Sequence, residues 1–150
     1  MLSVGDTAPA FTLLDTEGNP FSFEETSGTR LVVFIPFPFT GICDDEGCAL
    51  RDNLAELNDL DTQVIVITVH AKPVIKKWSD ENGFSFPVLS DYWPHGETAK
   101  AYGAFNEKTG GANRNSYLID GDGVVREIFA TGSLKIPREY DGYVEALDRL

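Results

Sequence analysis

The chain has 150 residues, 42% hydrophobic and 24% charged, ordinary values for a globular protein that argue against a disordered or fibrous one. Its 24 acidic residues against 12 basic ones give a formal charge of -12, spread from Asp6 to Asp148 without an acidic tail. Such a surface repels polyanions, and the one close basic pair, Lys76-Lys77, is too small a patch for a nucleic-acid partner.

Diffuse acidity with few lysines suits a salty cytoplasm, although a merely acidic protein would look the same. Met1 to Asp6 holds neither a basic stretch nor a long apolar core, and so does not resemble a signal peptide. The longest apolar run, Leu31 to Phe39, spans nine residues and contains two prolines. It falls short of the ~20 residues that cross a bilayer. A cytoplasmic chain without a membrane partner, forming one domain over residues 1–150, is expected.

In chain order, Phe11 to Asp15 and Phe21 to Phe23 alternate apolar and polar residues around Glu17-Gly18-Asn19, which predicts an N-terminal hairpin. Leu31 to Ile35 and Val64 to Val69 are unbroken, β-branched runs of the kind buried on both faces of a central sheet. Between them, Leu50, Leu54, Leu57 and Leu60 recur at helical steps, predicting an amphipathic helix that begins near Cys43. Val74 to Trp78 follows Pro73 and precedes Asn82-Gly83, a proline start and glycine stop for a second helix. Another is expected over Glu97 to Tyr102. Ser116 to Asp120 and Val124 to Phe129 read as a hairpin about Gly121-Asp122-Gly123, and Tyr140, Tyr143, Val144 and Leu147 as a closing helix. The order predicts an α/β fold with a mixed central sheet flanked by helices.

Only two cysteines occur, Cys43 and Cys48. Cys43 ends the run Pro36-Phe37-Pro38-Phe39-Thr40-Gly41-Ile42-Cys43, where a strand gives way to a loop and then to a helix. Unpaired amides and the positive end of a helix dipole make that a place where a thiol becomes a nucleophile. Zinc is disfavoured: His70 and His95 stand too far apart for the usual ligand spacing with the two cysteines, and no metal or cofactor is expected. Asp120-Gly121-Asp122-Gly123 falls short of a calcium loop.

The spacing Pro-x3-Thr-x2-Cys with Glu46 three residues on resembles the active-site signature of the peroxiredoxins, thiol peroxidases with a thioredoxin-like fold. Asn113-Arg114-Asn115-Ser116-Tyr117-Leu118-Ile119-Asp120 resembles the strand that supplies that family's arginine. Phe86 to Gly96 and Tyr102 to Glu107 resemble its one-cysteine AhpE-type branch, whereas Cys-x4-Cys is the arrangement of the bacterioferritin-comigratory branch. The resemblance implies that Cys43 attacks a peroxide, that Arg114, Thr40 and amides near Ile42 and Cys43 stabilise the transition state, that Pro36 shields the thiolate, and that Glu46 holds the arginine network. It also implies a homodimer or larger ring, for which Phe37, Phe39 and Tyr92-Trp93 could supply a surface. Hydrogen peroxide and organic hydroperoxides are the expected substrates, with a thioredoxin-like or small-thiol reductant.

Acidity alone is a weak source of rate. Lowering a cysteine pKa from about 8.5 to about 6 multiplies the thiolate about thirty-fold but costs roughly ten- to twenty-fold in nucleophilicity. Donors aimed at the departing oxygen must supply the rest.

Cys48 carries two readings. As a resolving residue it would capture a Cys43 sulfenic acid, and because Cα atoms five apart in a helix lie roughly 8.5 Å apart, beyond the ~7 Å bridging limit, the helix would have to unwind. Alternatively it is a structural helix residue and an external thiol regenerates the enzyme. Outside peroxidase chemistry, a peroxide-sensing or holdase protein would oxidise Cys43 without turnover. A disulfide oxidoreductase would need Cys-x2-Cys, which is absent.

Overall fold

The computed structural model describes residues 2–150. Seven strands form one mixed sheet: β1 (Thr12–Leu14), β2 (Pro20–Ser22), β3 (Thr29–Phe34), β4 (Thr62–Thr68), β5 (Val88–Ser90), β6 (Asn115–Ile119) and β7 (Val125–Ala130). Their spatial order is β2-β1-β5-β4-β3-β6-β7. β3, β4 and β5 run parallel, while β6 and β7 on one side and β1 and β2 on the other pair antiparallel. Among the described residues, the α-helices α1 (Gly41–Asp52), α2 (Leu54–Asp59), α3 (Lys72–Asn82) and α4 (Glu97–Tyr102) connect strands, and α5 (Tyr140–Asp148) follows β7.

Strand alternation sorts the core into two layers. Val32 and Phe34 of β3, with Ile65 and Ile67 of β4, face Ala99 and Tyr102 of α4 and the aromatic residues Phe11 and Phe23. Leu31 and Val33, with Val64 and Val66, face Leu50 of α1, Leu57 of α2, Ile75 and Trp78 of α3 and Tyr143 of α5. Both faces of β3 and β4 are therefore covered, as their unbroken apolar runs required. Cys43 belongs to the second layer, beyond the carboxyl end of β3, which is where open α/β sheets present their sites.

Local signals explain the helix limits. Pro73 lies in the first turn of α3, and Gly83 ends it in the left-handed conformation at φ 66°. The leucine stripe is not one helix. It breaks at Asn53, whose side chain donates to Ala49 O at 2.7 Å, and Leu60 lies past the end of α2, 37% exposed. β5 is a strand that periodicity does not distinguish, since it has three residues beside Pro87. Phe37, grouped above with the exposed aromatics, is half-buried, its ring edge-on to His70.

Gly96 opens α4 at φ 69°, and a Cβ there would lie 2.4 Å from Cε1 of Phe105. Gly96→Ala meets both a backbone and a packing penalty. It should lower stability by about 2–4 kcal/mol in urea unfolding. Adding Phe105→Leu should recover only the packing share.

Candidate active site

β3 ends against Ile35, whose N–H donates to Ile67 O at 3.0 Å, and the chain then turns through Pro36 to Thr40 into α1. The first intrahelical bond is Asp44 N–H to Thr40 O at 2.9 Å, and no side chain caps the helix. The amides of Gly41, Ile42 and Cys43 thus precede the helical ladder at its positive end. Cys43 is fully buried, and its Sγ accepts the Phe37 N–H at 3.5 Å. Pro36 is buried in the loop, while Thr40 is exposed, its hydroxyl donating to Phe37 O at 2.7 Å. Phe39, between them, holds a left-handed φ of 69°, a strained conformation for a residue with a side chain.

One helical turn beyond Cys43, Glu46 is 9% exposed and binds two buried arginines. Its Oε1 accepts from Arg114 Nη1, and Arg114 Nε donates to Leu134 O at 2.6 Å. Arg138 grips both carboxylate oxygens, Nε to Oε2 at 2.8 Å and Nη2 to Oε1 at 3.0 Å, while its backbone N–H donates to Oε2 at 2.8 Å. Arg138 Nη1 reaches back to Asn115 O at 2.7 Å and Ser116 Oγ at 3.0 Å, locking the cluster onto β6. Two guanidinium groups face one carboxylate, so the buried cluster has one cation uncompensated. Arg114 Nη2 has no hydrogen-bond partner among the described residues.

Burial works to raise the Glu46 pKa, but the hydrogen bonds and charge of Arg138, joined by the charge of Arg114, outweigh it and hold the carboxyl below the ordinary glutamate value.

Glu46 thus ties Arg114 to α1 one helical turn from Cys43, with Thr40 and Pro36 on the adjoining loop. Cys48 does not join them. α1 is intact through both cysteines, and Cys48 Sγ points to Asn82 Oδ1 of α3 at 3.6 Å. His70 Nδ1 lies 2.8 Å from Thr68 Oγ1 and His95 Nε2 lies 2.7 Å from Gly110 O, each occupied apart from the thiols.

The family model described as AhpC/TSA matches residues 4–128. Alkyl hydroperoxide reductase E of Mycobacterium tuberculosis is 41% identical over 151 aligned positions, covering 98% of this chain and 99% of the relative. This chain belongs to the AhpC/TSA family. It is a peroxiredoxin of the AhpE/Bcp type, a thiol-dependent peroxidase. Peroxiredoxin Bcp of Escherichia coli is 31% identical over 135 positions, 85% of each chain. Among solved structures, peroxidoxin BcpB of Mycobacterium tuberculosis superposes with a TM-score of 0.89 at 24% identity, covering 100% of this chain and 99% of the other, which places the peroxiredoxin in the same thioredoxin-like fold. No helix among the described residues is long and apolar enough to cross a membrane.

Sequence reasoning missed Arg138 in this peroxiredoxin. Its partner Glu46 lies 92 positions away, and Ile136-Pro137-Arg138-Glu139 carries no local pattern that marks it.

A carboxylate held below its ordinary pKa contributes stability above the unfolded value of about 4.3, and that contribution is lost as pH falls through the folded value. At pH 7, Glu46→Gln should cost about 3–5 kcal/mol in urea unfolding, because two buried cations lose their partner. The gap to the parent should narrow progressively on acidification below about pH 5.

Proposed function

We propose that Cys43 is the residue that attacks peroxide, accepting the distal oxygen to become a sulfenic acid while an alcohol or water leaves. The observation that carries this reading is a buried thiol at a helix N-terminus whose helix, one turn on, carries a carboxylate gripped by two guanidinium groups, one more cation than it can neutralise. As the O–O bond breaks, negative charge builds on the departing oxygen. Arg114 Nη2 and the amides of the first turn of α1 offer fixed donors for it. Thr40 spends its proton on Phe37 O, so toward a bound peroxide its oxygen is an acceptor. Glu46 and Arg138 position Arg114. Pro36, buried in the 36–40 loop, excludes water from the sulfur of the buried Cys43.

Hydrogen peroxide and organic hydroperoxides are both substrates in this reading. The second draws support from the 41% identical relative named for alkyl hydroperoxides. The sulfenic acid is resolved by Cys48, and a thioredoxin-like or small-thiol reductant closes the cycle in the cytoplasm, where such thiols are kept reduced. A one-cysteine cycle is the second reading, favoured by the intact α1 and by the contact of Cys48 with Asn82. Residues 1–150 act as one domain, and copies associate as a homodimer or larger ring through Phe39, Tyr92 and Trp93, of which Trp93 is 82% exposed.

Cys43→Ser should abolish peroxide consumption, and Arg114→Lys, which keeps the charge but loses the fork, should lower the second-order rate constant roughly 10²-fold. Retained activity in Cys43→Ser would end the proposal. Cys48→Ser should lose turnover with a thioredoxin-type dithiol; unchanged turnover would favour the one-cysteine cycle. Trp93→Asp should shift sedimentation to a smaller species if the exposed aromatics join the copies.

A further inference from the structure

If Cys48 captures the sulfenic acid, something must govern when the first turn of α1 comes apart, because both cysteines lie in one continuous helix. Glu46 is tied to the arginines and Gly47 packs under Phe84, leaving no room for a Cβ, which would lie 2.6 Å from the ring. The Cys48 end is docked on α3 by the Asn82 contact and by Arg51 Nη1 donating to Asn82 O at 2.7 Å. The Cys43 end packs in one cluster with Ile75 and Trp78 and makes one hydrogen bond to α3 among the described residues. Asp44 Oδ1 accepts the indole N–H of Trp78 at 2.7 Å.

Trp78 is a rigid post. It is fully buried, edge-on to Phe84 with ring centroids 4.9 Å apart, and Phe84 in turn stacks on Phe86. The same Asp44 oxygen accepts the Phe39 N–H at 3.1 Å, in the residue held at φ 69°. A single oxygen thus joins the strained loop before Thr40, the helix of both cysteines and α3. Loss of the indole bond would leave the first turn without a hydrogen bond to α3, and relaxation of Phe39, once its own bond to Asp44 also breaks, would favour the unwound state.

We propose that the Asp44–Trp78 hydrogen bond is the latch that sets how long a Cys43 sulfenic acid stays in the folded site before Cys48 reaches it, an inference that rests on the resolving role of Cys48. In the resolving step the Cys48 sulfur attacks the sulfenic sulfur. The S–S bond forms as the S–O bond breaks, and the hydroxide leaves as water with the Cys48 proton. Two electrons and two protons from the external dithiol later restore both thiols. In the competing step a second peroxide transfers one oxygen to the sulfenic sulfur, giving a sulfinic acid and releasing water. The latch sets the partition between these fates: while it holds, a second peroxide can reach the sulfur; once it opens, Cys48 does.

Trp78→Phe keeps an aromatic ring at this buried position, though a smaller one, and deletes the donor, leaving Asp44 free to hold Phe39. Reduced parent and variant are mixed with hydrogen peroxide, quenched in acid with thiol trapping, and weighed intact over time. The disulfide is about 2 Da lighter than the reduced chain and the sulfinic acid about 32 Da heavier. Losing a hydrogen bond to a carboxylate should accelerate disulfide formation roughly tenfold and lower the sulfinic fraction at a fixed peroxide excess by a similar factor. Ile75→Val, a trimmed core residue of the same helix, controls for general loosening of α3 and should leave the partition at the parent's value. Asp44→Asn, which keeps an acceptor but loses its charge, should fall between parent and Trp78→Phe.

Equal rates of disulfide formation in parent and Trp78→Phe would overturn the latch while leaving the resolving role intact. A partition shifted as far by Ile75→Val as by Trp78→Phe would overturn it too. No disulfide in any chain would overturn the resolving role and the latch together.

Discussion

Glu46 is a buried acid that two buried bases cannot do without. It sits on α1, and through it the helix is joined to Arg114 before β6 and to Arg138 in the segment that leads into α5. A charge removed from water is tolerated only when it is well paired. Each cation is also bonded to backbone carbonyls, Leu134 O for Arg114 and Asn115 O for Arg138, so the electrostatic cluster fixes chain geometry as well as charge. The position of Cys43 one turn away depends on this anchor, as does the orientation of Arg114.

The sheet supplies the frame and the loop supplies the chemistry. β3 and β4, covered on both faces, hold the end of β3 in place and so deliver Pro36 to Thr40 to the helix start. Strain is concentrated in that loop, at Phe39, and is balanced by hydrogen bonds to Asp44 and from Thr40 to Phe37. Cys48, by contrast, belongs to the packing between α1 and α3. The two thiols share a helix yet face different neighbours, which is what five steps along an α-helix dictate.

Much of this was legible in the sequence because the signals were local. The apolar runs of β3 and β4, the proline and glycine limits of α3, and the strand-loop-helix setting of Cys43 each reside in a few consecutive residues. Arg114 was found through a motif, not through its partner. What stayed hidden was relational. The break at Asn53 is an interruption by one side chain within a continuing leucine stripe, and β5 is too short for periodicity to separate it from a loop. Arg138 and the Asp44–Trp78 bond depend on residues 92 and 34 positions apart, and neither end advertises the other. At Gly47 the ring of Phe84 lies where a side chain would go, a constraint set by a residue 37 positions away.

The long reach of the Glu46 cluster also bears on how the chain is made. Arg114 is added 68 residues after Glu46 and Arg138 92 residues after it. At translation rates of ~5–20 residues per second, Glu46 would be added about 5–20 s before its last guanidinium partner is synthesised. During that interval the nascent thiol lacks the arginine framework of the finished site. On the proposed mechanism, the donors that would serve the thiol come together only when Arg114 and Arg138 reach Glu46, after most of the chain has been made.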